Sequence, residues 1–522
     1  MTGRQPHAAA LRCLEKVLEP DAVVTDPDQL TSLAHDIAGP AEVDPVAAAI
    51  PRSVEELSAV VGAATRSGLN IVPRGGGMSY SGGYTPSEPN CILIDTRRLA
   101  AVQQINVVDR YVVVEAGCTW RTLHEALAGS GFRTPFFGPL SGRVSTVAGA
   151  TSQNAAFFGS AAHGSMDGTV IGLEVVLPDG RILHTGVLRP GGVDGQPHGP
   201  DLSHLFVGDC GTFGVKARLV LRLVPAPGGE AFVSVGFDDP SAMLAAQTAL
   251  AGRQGIGECF GFDQKSHQNI LDRRHSFRQK AGAIATIAVQ SGGIARAARL
   301  SVDKLAFLED VAYSLHLSVE GDNTNHAETR SNRILRELAE RGGRELPDVI
   351  PRITRTRPFG PITALLGPQG ENWLPVHGVL SLSAVEACYR DLQAMMADRS
   401  AEMAEVGVVA TILTVLSGRA LILEPQFFWP DCLSPFHLNH VTAEQVRNHK
   451  DSPADFEARA LVHALRKTAI EIFHRNAACH MQIGRIYPFG SRLTETQGEI
   501  IALIRSTIDP EGRLNPGVLR SD

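Results

Sequence analysis

Glycine constrains this chain more than any other residue: it supplies 52 of 522 positions, and those positions are gathered rather than spread. Three clusters stand out, Gly75 to Gly83, Gly138 to Gly164 and Gly208 to Gly214, each set among short strand-like runs. Glycine lets a backbone approach a ligand closely and turn successive N–H groups toward an anion. Three such loops in one region point to an extended ligand that carries a pyrophosphate. The central cluster belongs to PLSGRVSTVAGATSQNAAFFGSAAHGSMDG at 139–168, mostly small side chains with little periodicity. So long an irregular stretch inside a compact domain is usually functional or disordered, and the ordered patterns on either side favour function.

Those flanking patterns are mixed. Residues 53–66 place Val54, Leu57, Val60, Val61 and Ala64 on one helical face, with Ser53 able to cap the start. Strands are expected at 70–73, 91–95 and 111–117. A helix opening at Thr119 carries Trp120, Leu123 and Leu127. VIGLEVVL, the turn Pro178-Asp179-Gly180 and RILHTG read as a hairpin, and FGVKARLVLRLVP at 213–225 closes the region with further strand. Beyond about residue 228 helical patterns are expected at 240–253, 295–316 and 330–341. An arginine-rich stretch follows at 351–360, then strands at 372–382, 405–416 and 419–428, with helices at 383–398 and 453–475. This rhythm is α+β.

The familiar nucleotide signatures are missing. RGGGMSYSGG is not a GxGxxG with an acidic residue about twenty positions on, so a Rossmann site is unsupported. No GxxxxGK[ST] exists either. The net charge of −7 makes nucleic acid a poor partner, because phosphate backbones call for a concentrated positive face. Eight cysteines with no CxxC pair are neither a disulfide scaffold nor a zinc finger. No window reaches the ~20 apolar residues of a membrane helix, and the start lacks the apolar core of a secretory signal, so the expected compartment is the cytoplasm.

Five motifs in order resemble one family: Pro73-Arg74-Gly75-Gly76-Gly77, Ser145-Thr146-Val147-Ala148-Gly149, the 170–180 hairpin, Gly208-Asp209-Cys210-Gly211-Thr212-Phe213-Gly214-Val215, and Asp509-Pro510-Glu511-Gly512-Arg513-Leu514-Asn515-Pro516-Gly517. Together they look like the flavoproteins of the vanillyl-alcohol oxidase and p-cresol methylhydroxylase superfamily. The resemblance covers about residues 45–225 and the last forty, with a divergent middle. It implies an α+β fold: a two-subdomain FAD-binding domain at 45–225 and an α+β cap domain with an antiparallel sheet at 226–475. An N-terminal helical segment would occupy 1–44, and 476–522 would return to the FAD domain.

FAD would then be held, without a covalent bond, by Arg74, Gly75, Gly76, Gly77, Met78, Ser79, Pro139, Ser141, Gly142, Ser145, Thr146, Gly149, Asn154, His163, Gly164, Ile171, Gly214, Val215 and Asn515. Met78 stands where histidyl-linked members carry histidine, and no cysteine lies in 139–149. His163, within the glycine-rich segment, is the residue most able to form a link. Arg485 matches the arginine that the family sets against the flavin, where a guanidinium steadies the negative charge of the reduced ring. Tyr80, Tyr84, His480, Tyr487 and Asp167 are the further catalytic candidates. Two departures weaken the phenol-oxidising mechanism: Gly484 replaces a tyrosine, and Ser165 aligns with an acidic residue, with Asp167 two places on.

The expected activity is an FAD-dependent oxidoreductase removing a hydride from an alcohol or a para-substituted phenol, reoxidised by oxygen or an electron-transfer protein. Its small-molecule substrate would be an aromatic alcohol or a hydroxyacid, and a homodimer is compatible with this reading. The alternatives are a metal-free D-2-hydroxyacid dehydrogenase, with Arg355 or Arg357 clamping the carboxylate, and a flavin-dependent alkyl-ether synthase. No HxH of the metal-dependent branch occurs. His437 and His440 have a spacing open to a metal, but the expected metal set is none.

Overall fold

A computed structural model describes Arg12 and residues 14–195, 199–278, 302–360, 362 and 365–519. Its first sheet joins β1 (Val23–Val24), β2 (Ala47–Ala49), β3 (Asn70–Arg74) and β4 (Cys91–Asp95) in the order β1-β2-β4-β3. Strands β2, β4 and β3 run parallel. Helix α1 (Val54–Arg66) makes the crossover; its Ser53 side chain caps Glu56 N–H and its predicted apolar face is buried. A second, antiparallel sheet contains β5 (Val102–Asn106), β6 (Tyr111–Glu115), β7 (Val170–Val176), β8 (Ile182–Gly186) and β9 (Val215–Arg222), ordered β8-β7-β9-β6-β5. Between β6 and β7 come α2 (Trp120–Leu127) and α3 (Val147–Gln153). The Thr146 side chain caps α3 at Gly149 N–H.

The third sheet has eight antiparallel strands. They are β10 (Gly229–Phe237), β11 (Ile256–Phe262), β12 (Tyr313–Gly321), β13 (Arg344–Leu346), β14 (Asn372–Pro375), β15 (Gly378–Ser381), β16 (Val409–Ser417) and β17 (Ala420–Trp429). The order is β13-β10-β12-β11-β16-β17-β14, with β15 also on β17. Helix α4 (Gln264–Arg278) follows β11, α5 (Thr324–Glu340) follows β12, and α6 (Val349–Thr356) follows β13.

Strand alternation decides what β16 and β17 present to each side. Ile412, Leu416, Leu421, Leu423 and Phe427 enter a core shared with α7 (Phe456–Arg475). The alternate residues Thr411, Leu413, Val415, Ile422, Glu424, Gln426 and Phe428 face a cavity against the glycine loops.

Several expectations need correction. The helix expected at 295–316 falls partly outside the described residues, and its last positions begin strand β12. Strands β10, β11 and β12 were hidden by Gly, Ser and His scattered through GEAFVSVGF, IGECFGF and YSLHLSVEG. The N-terminal segment is not simply helical, since it contributes β1 and a short hairpin, His35–Asp36 with Gly39–Pro40. Near the C-terminus, Leu514 bridges Ile71 of β3, and Asn515 N–H donates to the Ile71 carbonyl at 2.7 Å. Among the described residues, no helix is long and apolar enough to cross a membrane.

Candidate functional site

A cavity of about 490 Å³ lies between the glycine loops and the eight-stranded sheet. Its loop side is Arg74 through Tyr80, Tyr84, Pro139, Ser141, Ser145, Thr146 and Gly149, so much of the cofactor set expected from sequence converges there. The loops can come this close because they lack side chains. A Cβ on Gly76 would collide with the Val144 carbonyl, and one on Gly77, at φ +72°, with the Arg74 guanidinium. Arg74 is only 4 % exposed; its Nη1 donates to the His35 carbonyl at 3.0 Å, while Nε has no partner among the described residues. Burial lowers its pKa to about 10, which still leaves a cation at neutral pH. A buried cation, several hydroxyls and glycine backbone beside an open volume suit a pyrophosphate, so the residues present fit FAD.

The sheet side and α4 form the rest. Ser266, Asn269, Ile270 and Arg273 recur at helical spacing on one face of α4 and line the cavity, as do Trp373 and Leu365. Glu424 is the acid of this wall. Burial pushes its pKa up to about 7, opposed by hydrogen bonds from Gln426 and Tyr80. Gln426 Nε2 donates to Glu424 Oε1 at 2.7 Å, and the Tyr80 hydroxyl faces Oε2 at 3.5 Å. That hydroxyl also accepts from Gln482 Nε2 at 3.0 Å. Gln482 has φ +54°, and its Oε1 is buried without a partner among the described residues. Burial, then the neighbouring Glu424, holds the Tyr80 phenol well above its ordinary pKa, so it is neutral and can donate.

Sequence reasoning missed Glu424, although a lone charge in LILEPQFFW was the available signal. It also missed Gln482, Trp373, Arg273 and, behind Tyr80, His377. The ring of His377 packs edge-on to Tyr80 at 5.7 Å between centroids. Its Nε2–H donates to the Met481 carbonyl, and the Tyr487 hydroxyl lies 3.2 Å from Nδ1. Burial drives His377 down to about 3 and His480 to about 4, so both are neutral.

The remaining candidates lie elsewhere. Tyr487 and His480 stack at 4.1 Å in the layer behind Tyr80 and do not line the cavity. Arg485 does not line it either: its guanidinium donates to the carbonyls of Gly82 and Thr85 (2.6 Å for Thr85) and so anchors that loop. Asp167 is exposed, paired with Ser165 at 2.9 Å. Asn154 accepts from Asp167 N–H at 3.0 Å, and His163, lowered to about 4 by burial and then by Arg133, is not among the residues that line the cavity. A Cβ on Gly142 would meet Phe359, and one on Gly214 would meet Val175; both glycines serve packing. Ile171 and Val215 lie in strands β7 and β9, and Gly164 adjoins Gly418, all outside the lining. Asn515, fully buried at φ +44°, donates through Nδ2 to Gly83 O at 2.7 Å and Cys210 O at 2.6 Å, tying two glycine loops together.

One further reading changes. Arg355 is not available as a carboxylate clamp, because Glu230, Glu258 and Glu320 surround it at 2.7, 2.7 and 2.8 Å. Arg357 does line the cavity. His437 closes a capping box with Ser434 and His440 stacks on Phe436 at 4.4 Å. Among the described residues, no group of three or more His, Cys, Asp or Glu side chains could hold a metal.

Comparison with known proteins supports the cofactor. Residues 45–186 match the FAD binding domain family. An uncharacterised FAD-linked oxidoreductase of Mycobacterium tuberculosis is 32% identical over 216 residues, 41% of this chain and 45% of that protein. A glycolate oxidase subunit of Bacillus subtilis is 31% identical over 183 residues, 35% of this chain and 38% of that protein. The chain thus spans less than half the length of these curated relatives. The substrate-bound structure of p-cresol methylhydroxylase superposes with a TM-score of 0.71 at 14% identity, covering 99% of this chain and 97% of that one.

Proposed function

From a chain that carries an FAD binding domain and shares the fold of p-cresol methylhydroxylase, we propose an FAD-dependent oxidoreductase that oxidises an aromatic or otherwise apolar alcohol, or a para-substituted phenol. The observation that carries this reading is Glu424: a half-buried carboxyl, its pKa raised to about 7, in a wall that also holds Trp373, Phe428, Phe262 and Tyr80. When bound, FAD supplies the acceptor for a hydride leaving the substrate carbon.

The chain's own residues supply the rest. Glu424, partly ionised near pH 7, takes the hydroxyl proton; a general base works best with a pKa near the operating pH. The alcohol so loses one hydride and one proton and leaves as the carbonyl compound. Tyr80 and Gln482 hold the substrate oxygen beside the carboxylate, and the aromatic wall excludes water and aligns the reacting C–H. Oxygen or an electron-transfer protein then completes turnover.

A D-2-hydroxyacid substrate is the second reading, favoured by Arg357 in the cavity wall and by the glycolate oxidase subunit among the relatives. An ether synthase is less well supported: no histidine is among the described residues that line the cavity to handle a phosphate ester.

The test is anaerobic bleaching of the flavin by aryl carbinols, para-alkylphenols and D-2-hydroxyacids. Glu424→Gln is expected to keep its FAD and slow bleaching by about 10²- to 10⁴-fold, the span of general base catalysis. An unchanged rate would remove Glu424 from the chemistry. Bleaching by hydroxyacids alone would move the reading to the second substrate class.

A further inference from the structure

His377, between β14 and β15, is fully buried behind Tyr80 and does not line the cavity. Its hydrogen bonds have one permitted direction. A neutral imidazole carries a single N–H, and the Met481 carbonyl can only accept, so the proton is on Nε2. Nδ1 must then accept. The Tyr487 hydroxyl donates to it at 3.2 Å while taking the His377 backbone N–H at 2.9 Å. The His377 carbonyl is used as well, by the Nδ1–H of His480 at 2.9 Å.

The Met481 carbonyl belongs to the same peptide unit as the Gln482 N–H, and that N–H donates to the Gln153 carbonyl at 2.9 Å. The unit is thus gripped at both ends, by His377 and by Gln153. Gln482 needs the grip. At φ +54° it occupies the left-handed region, which a residue with a side chain leaves unless its surroundings hold it there. From that conformation its Nε2 donates to the Tyr80 hydroxyl at 3.0 Å, and the Tyr80 proton is left to face Glu424 Oε2 at 3.5 Å. The donors run in one direction, from Tyr487 to His377 to Met481, and from Gln482 to Tyr80 to Glu424.

We propose that His377 is a positioning residue for the oxidation: by donating to the Met481 carbonyl it holds Gln482 in its left-handed conformation, and through Gln482 it aims the Tyr80 hydroxyl at Glu424. This rests on the reading of Glu424 as base and deepens it by naming what orients the pair that holds the substrate oxygen. The edge-on contact between the His377 and Tyr80 rings fixes where the phenol lies but not where its proton points, so the N–H donor carries the role rather than the ring.

The test separates donor from ring. A glutamine amide places its N–H near the position of Nε2, whereas the shorter asparagine amide ends near Nδ1, and both variants lose the ring. His377→Gln therefore keeps the bond to Met481 and His377→Asn loses it. In anaerobic reduction of the holoprotein by alcohols, His377→Asn is expected to lower the limiting rate by about three- to tenfold at unchanged FAD content, and His377→Gln to recover most of that loss. In the Tyr80→Phe background, where the hydroxyl acted upon is gone, His377→Asn is expected to add less than about twofold, because groups in one hydrogen-bonded series are not additive. Tyr487→Phe leaves the His377 ring in place and removes the donor to Nδ1; its smaller loss is expected to vanish in the same background, and it carries the cycle if a His377 variant does not fold. A second readout needs no turnover. With 3-fluorotyrosine at the six tyrosines, the resonance that Tyr80→Phe removes is expected to differ between the two His377 variants, with glutamine nearer to wild type. Equal rates for the glutamine and asparagine variants, additive losses in the cycle, one Tyr80 resonance shared by both variants, or FAD lost from His377→Asn but not from Tyr80→Phe would each overturn the assignment. Resonances that separate the variants with no reduction by any alcohol would leave His377 as the residue that orients Tyr80 and refute the role of Glu424 instead.

Discussion

Glu424 and Tyr80 form a unit in which each sets the other's proton. The long contact from the Tyr80 hydroxyl lowers the pKa of Glu424 against the larger upward push of burial. Tyr80→Phe removes that contact, so the acidic limb of kcat/KM is expected to move above its wild-type position near pH 7, with a drop in rate of about tenfold. A pH–rate profile of both proteins checks this; an unmoved limb would separate the two groups. The same carboxyl has a stability consequence. Its folded pKa of about 7 exceeds the ordinary carboxyl value, so the native state binds the extra proton. That stabilisation is complete below the unfolded pKa and is lost as pH rises through about 7. A tenfold difference in proton affinity between folded and unfolded chains corresponds to about 1.4 kcal/mol, so Glu424→Gln is expected to gain about 1–3 kcal/mol at pH 8 relative to wild type and nothing at pH 4.5. Urea unfolding of the FAD-free protein at the two pH values measures it.

Elements act here by lending faces. The glycine loops could be read directly, because a run without side chains between strands has few uses other than close approach to a ligand. Gly76 sits against the Val144 carbonyl with no room for a Cβ, so Gly76→Ala is expected to weaken FAD binding by tenfold or more while leaving the urea midpoint of the eight-stranded sheet region unchanged. Fluorescence titration with FAD reads the first, and circular dichroism during unfolding the second. The strands β10, β11 and β12 were far less legible. Each is interrupted by glycine, serine or histidine, which weaken the local strand signal, and these positions are buried by neighbours distant in sequence. His316 and Ser314, for example, are fully buried and bond each other at 2.8 Å.

Across the whole molecule the sheet region and the flavin region are joined by buried charge. Arg355 of α6 binds Glu230 on β10, Glu258 on β11 and Glu320 on β12, and Arg133 from the glycine-loop region holds Glu320 through both oxygens at 2.7 Å. Glu258 also accepts from Gly159 N–H at 2.8 Å. Removing one partner of such a cluster strands the others in a low-dielectric setting. Arg355→Met is therefore expected to cost about 3–5 kcal/mol by denaturant unfolding, a loss that a rim pair such as Arg181–Asp179 would not show.

What could be read from the order of residues was whatever a short segment settles alone. The loops at 74–83 and 139–149, the capped helix α1 and the hairpin of β7 and β8 follow from local pattern, as does a pyrophosphate-bearing ligand; that the ligand is FAD followed from the family resemblance of the motifs. The returning tail was expected from the motif around Asn515, and Leu514 does meet β3. The catalytic wall could not be read this way, because its meaning depends on which alternate residues of β16 and β17 face the loops. Glu424 becomes a base only when burial raises its pKa beside Tyr80, more than three hundred positions away in the chain. Arg485 and Arg355, read as ligands of flavin and substrate, turned out to bind backbone carbonyls and glutamates. A guanidinium serves whichever acceptor packing brings within reach, and packing is a property of the folded whole.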